Sequence, residues 1–429
     1  MKSNDVRTDA SGRKGPGGAR RPALMLAVAT TGFTVNFWAW ALLSPLGPQF
    51  KRTLSLSASQ QALLVAVPVI IGSLGRIPVG ALTDRLGGRV TFPLISAAAV
   101  PPVLFVGLAG QRSLAALLAG GLCLGVAGTI FAVGVPFVAS WFPPERRGLA
   151  VGVFGIGMGG TAISALTTVG LTQAGGPAAP FLLTAGVLTC YAVVACLVLR
   201  HPPGRTARTP VRARPSSVPS GPSGSSGMAA ALRLPITWQA SVLYAVAFGG
   251  YVAFSVYLPV YLQTAYGLEQ ADAARRMAGF VLVAVLARPL GGWLSDRSGP
   301  LPILVTVFAV LAACATTQAF TPPLALTGTV AFLTMAAAFG TGSGATFALV
   351  TLVAPTDLVG SITGLVGAAG GLGGFVPPLV MGLDYGRLGS YGLSLALLAV
   401  ASLVTLLLTV TTVRSTVRRH SSPAGCQAR

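Results

Sequence analysis

The sequence predicts an all-α membrane protein with twelve transmembrane helices in two six-helix, pseudo-symmetric halves. Three observations carry this. The chain of 429 residues is 53% hydrophobic and only 9% charged. Its apolar runs are long enough to cross a bilayer. Its halves repeat at a fixed offset of 212 residues. Soluble domains carry roughly 25% charged residues, so disorder, a coiled coil and most soluble enzyme folds are excluded.

A bilayer core takes about 20 apolar residues per helix. The first such run is 23–46. Arg20-Arg21 before it could suggest a secretory leader, but the run is too long for a leader core and eleven more follow. Runs at 58–83, 90–110, 114–141, 147–172 and 178–199 complete an N-terminal half, 23–199. Residues 200–235 carry Arg200, Arg205, Arg208, Arg212, Arg214 and Arg233 among Pro, Ser and Gly, which reads as a flexible basic linker. Runs at 236–264, 277–295, 301–320, 323–353, 359–383 and 389–413 form the C-terminal half, 236–413. Residues 1–22 and 414–429 are basic tails. Gly and Pro inside several runs are tolerated where membrane helices bundle.

The formal net charge of +20 follows from topology. With the N-terminus inside, the inner segments hold 21 Lys and Arg, and the outer loops hold six: Lys51, Arg52, Arg112, Arg275, Arg276 and Arg387. The positive-inside rule therefore predicts a multi-pass protein of the cytoplasmic (inner) membrane with both termini and the linker in the cytoplasm. The basic excess is explained by orientation and attraction to the lipid bilayer, and no nucleic acid is expected. The five cysteines form no Cys-x-x-Cys pair, and four lie in apolar runs as small packing residues, so neither metal nor disulfide framework is expected.

The repeat is legible residue by residue. The offset superposes Arg76 on Arg288, Gly80 on Gly292, Leu82 on Leu294, Asp84 on Asp296, Arg85 on Arg297 and Gly87 on Gly299. It also carries Pro143 to Pro355, Glu145 to Asp357, and Gly148, Gly152, Gly155 and Gly159 to Gly360, Gly364, Gly367 and Gly371. Parallel six-helix repeats are a transporter architecture, with the substrate site near the midplane between the halves.

Arg76 and Arg288 are the two basic residues left inside apolar runs. Arg76 precedes Asp84 by eight residues, about 12 Å of helix, which puts it near the midplane if Asp84 marks the inner surface. A charge there costs at least about 2.5–3.5 kcal/mol, so it should face a cavity and have a partner. No carboxylate is available. Asp84, Glu145, Asp296 and Asp357 fall at inner ends, and Glu269, Asp272 and Asp384 at outer ends or loops. Two unpaired guanidiniums from opposing halves suit a small planar oxyanion, because parallel N–H donors can meet two oxygens at once. The spacing of Gly155 and Gly159, and of Gly367 and Gly371, puts each pair on one helix face. Close helix packing and a narrow cavity wall both account for them.

The G-x-L-x-D-R-x-G-x-R box (Gly80, Leu82, Asp84, Arg85, Gly87, Arg89) between the second and third runs resembles the inner-loop motif of the major facilitator superfamily. That resemblance implies the major facilitator fold and alternating access. It also implies a gating role for Asp84, Arg85, Arg89, Asp296 and Arg297, with each carboxylate near a helix N-terminus across the interface. The segments Phe131–Gly134, Trp141–Gly148, Phe154–Thr161, Phe248–Ser255 and Gly367–Phe375 are similar to those of the nitrate/nitrite porter family. This second resemblance implies that Arg76 and Arg288 bind the anion, that Phe131 and Phe248 wall the pocket and that Tyr244 donates a hydrogen bond. One position departs: the family often has Asn where this chain has Met158, so a polar contact could come instead from Thr161 or Ser164.

Together these features imply a secondary transporter of nitrate, nitrite or both, expected as a monomer, with neither cofactor nor enzyme activity. Nitrate/nitrite exchange and nitrate/proton symport both stand, because the family includes proton-coupled importers. His201 and His420 lie in linker and tail, and no acid lies at the midplane, so no proton relay is visible. An exporter of an organic anion or drug is the alternative. A cationic drug would call for a midplane acid, and an organic anion for a wider pocket. A membrane sensor would need a signalling domain that the tails and linker are too short to fold.

Overall fold

The computed structural model describes residues 17–201, 224–355 and 358–421. Among them twelve helices are long and apolar enough to cross a membrane. Spans one to six are Arg21–Thr53, Ala58–Gly80, Gly88–Leu108, Leu114–Trp141, Ala150–Gly175 and Ala179–Val198. Spans seven to twelve are Pro235–Tyr266, Gln270–Ser298, Pro300–Ala319, Leu324–Val353, Ile362–Leu388 and Gly392–Arg418. An even number of crossings puts both ends of the bundle chain and the inter-half segment on one side, the linker end. The opposite side is the far end. Leu197, Leu286, Leu407 and many other large apolar side chains are exposed on the bundle surface, as lipid contact requires.

The boundaries differ from the sequence reading where charges ride on helices. Span eight begins at Gln270, so Arg275 and Arg276 sit on a helix and not in a loop. Asp272 accepts from Arg276 Nε at 2.9 Å and lies 3.6 Å from Arg275 Nη2, and such (i, i+4) and (i, i+3) pairs keep a charged turn helical. Span eleven likewise runs on to include Asp384 and Arg387. Within the linker, Gly224–Arg233 is helical where composition predicts flexible chain. Two of its terminal carbonyls are taken by span seven, Ala231 by Thr237 Oγ1 at 2.6 Å and Leu232 by Trp238 Nε1 at 2.8 Å. Arg205, Arg208, Arg212 and Arg214 lie outside the described residues. So does Cys426. Cys123, Cys190 and Cys196 prove exposed on the bundle surface, so the packing role expected of them does not hold.

Breaks in the helices set the site. Span two is three helical pieces, Ala58–Ala66, Pro68–Leu74 and Arg76–Leu86. Pro68 cannot donate a backbone bond, which interrupts the ladder, and Trp40 Nε1 donates to its carbonyl at 3.2 Å. Span four tightens into a 3₁₀ turn at Gly125–Thr129 and span five at Ile156–Gly159. Span eleven breaks between Gly373 and Val376.

The halves are tied at two levels. At the far end, Ser44 Oγ donates to Val256 O at 2.6 Å, Gln270 Nε2 to Pro45 O at 2.7 Å and Arg52 Nη2 to Gln270 Oε1 at 3.2 Å. Ser44 and Val256 are 212 residues apart, so this bond joins repeat-equivalent positions and marks the pseudo-two-fold axis. Nearer the midplane lie a bond between Thr161 and Tyr251 hydroxyls at 3.5 Å and the arginine contacts described below. Among the described residues no hydrogen bond joins the halves between the arginines and the linker end.

Within the C-terminal half, spans eight and ten press backbone to backbone. A side chain at Gly340 would run into the Ala284 carbonyl, and one at Gly344 into the Arg288 carbonyl. Overpacking of this kind costs typically about 1–3 kcal/mol. Gly340→Ala is therefore expected to lower the melting temperature in detergent clearly. Gly170→Ala, at a glycine with no neighbour within 4 Å, is expected to leave it unchanged. Thermal unfolding followed by size-exclusion recovery measures both.

Candidate anion site

Arg76 opens the last helical piece of span two, directly after the Gly75 break. Its Nη1 donates to Gly367 O of span eleven at 3.1 Å, across the half interface. Arg288, on span eight, reaches the other way. Its Nη1 contacts Met158 Sδ of span five at 2.7 Å, and its Nη2 donates to Tyr244 Oη at 2.6 Å. Both arginines are partly accessible.

The two guanidiniums share the same two aromatic faces. Arg76 Cζ lies 5.3 Å from the Phe131 ring centre and 5.7 Å from that of Phe248. Arg288 Cζ lies 5.8 Å and 5.4 Å from them. Each wall is braced within its own half. Phe131 faces Phe33 and Phe154, at 5.8 and 6.4 Å. Phe248 stacks on Tyr244 at 4.8 Å with 5° between the planes, and Phe347 meets the edge of Tyr244 at 4.7 Å. A cation over an aromatic face gains about 0.5–2 kcal/mol, more when desolvated, which offsets part of the cost of holding charge at this depth.

No carboxylate joins them: among the described residues the ion pairs are those of Asp272. One acid among the described residues is buried, near the far end of span eleven, where the sequence reading had it. Asp384 is buried, and its Oδ2 accepts from Ser394 N and Oγ at 2.8 Å each, capping span twelve. It stands 17 residues beyond Gly367 on the same span, roughly 25 Å away, too far to neutralise either arginine.

The glycine stripes divide between the two readings left open by spacing. Gly155 and Gly367 are buried, yet no described atom lies within 4 Å of where a side chain would start, and Gly159 has none either. These three border open space beside the arginines. Gly371 is different, because a side chain there would run into Ser73 of span two. It also lines the small cavity bordered by Arg76, Ser73 and Phe248.

The residues expected to gate lie at the linker end. Arg85, Asp296 and Arg297 are exposed and Arg89 is partly buried. Arg297 Cζ sits 4.1 Å from the Trp293 ring centre. Asp296 has no ion-pair partner among the described residues. The Asp84 side chain and the Asp357 residue lie outside what is described.

Sequence reasoning missed three contributors: the Gly367 carbonyl, Phe347, and the direct contact of Met158 with Arg288. Thr161 and Ser164, offered as replacements for the absent Asn, turn elsewhere. Thr161 donates to Met158 O at 3.0 Å, and Ser164 pairs with Thr168 at 3.1 Å. Chemically the site is rich in donors. Arg76 Nε is buried with no partner, and the Tyr244 hydroxyl accepts from Arg288, leaving its own proton to donate. Among the described residues no cluster of His, Cys, Asp or Glu could hold a metal ion.

Residues 29–378 match the family model of the Major Facilitator Superfamily. A Mycobacterium tuberculosis protein named probable nitrate/nitrite transporter NarK2 is 46% identical over 405 residues, covering 94% of this chain and all of that protein. A Bacillus subtilis protein named nitrite extrusion protein is 34% identical, covering 91% of this chain and 94% of its own. A Staphylococcus aureus protein named probable nitrate transporter NarT is 31% identical over 89% of this chain and 93% of its own. The crystal structure of a bacterial homologue of the human lysosomal transporter Spinster superposes with a TM-score of 0.67 at 20% identity, covering 94% of this chain and 99% of that one. The twelve-span bundle, its repeat and relatives aligned along nearly its full length make this chain a member of the nitrate/nitrite porter family of the major facilitator superfamily.

Proposed function

We propose that the protein carries nitrate and nitrite across the cytoplasmic membrane by alternating access, with the anion held between Arg76 and Arg288. The observation that carries this reading is the pair of arginines, one from each half, over the same two phenylalanine faces with no acid beside them. The parallel donors of a guanidinium match a planar oxyanion. The Phe131 and Phe248 rings limit the slot, and the free proton of Tyr244 supplies a further donor. Gly155, Gly159 and Gly367 keep the wall thin, which favours a small substrate over a bulky organic anion.

With both termini in the cytoplasm, as the distribution of Lys and Arg implies, the tied far end faces outward and the site opens inward. An anion that binds both arginines links the halves. The empty site leaves two positive charges facing each other, which opposes the passage between states. A bound anion offsets that repulsion, so exchange of nitrate for nitrite is favoured over uptake into an empty compartment.

Counterflow in proteoliposomes tests the mode. Labelled nitrate is expected to enter vesicles preloaded with nitrite at least about tenfold faster than empty vesicles. Robust uptake into empty vesicles driven by a pH gradient would overturn exchange in favour of proton symport. Arg76→Lys and Arg288→Lys each retain the charge but lose the fork, and charge-assisted bonds contribute roughly 1.5–3 kcal/mol. Each is expected to weaken nitrate binding by about ten- to a hundredfold in calorimetry. Nitrate transport unaltered by both would remove the clamp.

The exposed Asp296 fits the inward-open state of a gate that closes when its carboxylate meets the N-terminus of span five, a contact of about 0.3–1 kcal/mol. Asp296→Asn is expected to slow counterflow several-fold while nitrate affinity stays within twofold. An equal loss in both would make Asp296 a structural residue.

A further inference from the structure

The repeat makes the two arginines formally equivalent, yet their surroundings are not. Arg288 has two side-chain partners, Tyr244 Oη at 2.6 Å and Met158 Sδ at 2.7 Å. The offset of 212 residues carries Tyr244 back to Gly32 and Met158 forward to Gly370. Arg76 therefore meets glycine at both corresponding positions. Its one hydrogen bond goes to the Gly367 carbonyl, and its Nε is buried without a partner. Arg288 thus engages two of its five N–H donors, one on each terminal nitrogen, whereas Arg76 engages one.

We infer that the anion loads first on Arg76, and that Met158 is a positioning residue whose sulfur holds Arg288 Nη1 until the anion displaces it. The inference rests on the proposed anion site and assigns a role to Met158, which contacts Arg288 from the opposite half. A thioether is a weak, polarizable acceptor. An oxyanion forms a shorter and stronger charge-assisted bond to the same nitrogen. Exchange of sulfur for anion is thus favourable, and the strength of the acceptor at position 158 sets how much binding energy is spent on it. A stronger acceptor competes harder and lowers affinity. A side chain with no acceptor frees the nitrogen and raises it. Met158 is buried, so the competition takes place away from bulk water.

The test is nitrate binding to the purified full chain by calorimetry, with Met158→Leu and Met158→Gln. Leu keeps the volume and removes the acceptor, a swap that cores tolerate well. Gln keeps the length and replaces sulfur with an amide oxygen. Net hydrogen-bond differences of this size correspond to about threefold in Kd. Nitrate Kd is expected to fall about threefold in the Leu variant and rise about threefold in the Gln variant. Both shifts are expected to vanish in an Arg288→Lys background. Weaker binding in the Leu variant would show that Met158 only packs, and that single result overturns the inference even if the Gln variant does not fold. Unchanged affinity in the Leu variant overturns it equally. Either result leaves the anion site itself standing. Absence of nitrate binding in the unsubstituted protein would overturn the substrate reading, and this inference with it.

Discussion

Two guanidiniums held at membrane depth without a carboxylate are the constraint on which the rest of the site depends. An N–H that cannot reach water costs free energy unless it finds another partner, and Arg76 Nε finds none. Arg76 takes a backbone carbonyl from the opposing half. Arg288 takes a phenol from its own half and a thioether from the other. Both lie over the same pair of phenylalanine rings. None of these partners neutralises the charge. All of them stabilise it.

Close packing around that site follows from small residues and broken helices. Spans eight and ten meet where Gly340 and Gly344 leave no room for a side chain, and this rigid contact includes the backbone of Arg288 itself. Span two is interrupted at Pro68 and Gly75, and the second break sets the start of the helix that bears Arg76. Glycines thus act in different ways even along span eleven: Gly371 admits Ser73 against it, whereas Gly367 borders open space, as Gly155 does on span five. The far end is held by bonds such as Ser44 to Val256, which join repeat-equivalent positions on the pseudo-symmetry axis.

Much of this was legible in the chain. The twelve spans followed from apolar length, and among the largest shifts of an edge is that at the charged turn of Asp272, which extends span eight past its apolar run. The repeat and the unpaired arginines were visible because charge is so sparse. The buried carboxylate of Asp384 was not, since its burial comes from spans eleven and twelve packing over it and from Ser394 donating to it. The helix at Gly224–Arg233 was hidden for a similar reason, because its C-terminal carbonyls are taken by Thr237 and Trp238 of span seven.

The sequence by itself therefore determined the number of spans, the two-fold repeat, the depth of Arg76 and Arg288, and the absence of a midplane acid. These depend on residue type and on distance along one helix. Only the tertiary structure decided which half each arginine reaches into, that Met158 rather than Thr161 faces Arg288, and which glycines line space and which fill it. Those are contacts between helices brought together from far apart in the chain. They depend on helix rotation and on breaks at single residues, which periodicity alone cannot specify.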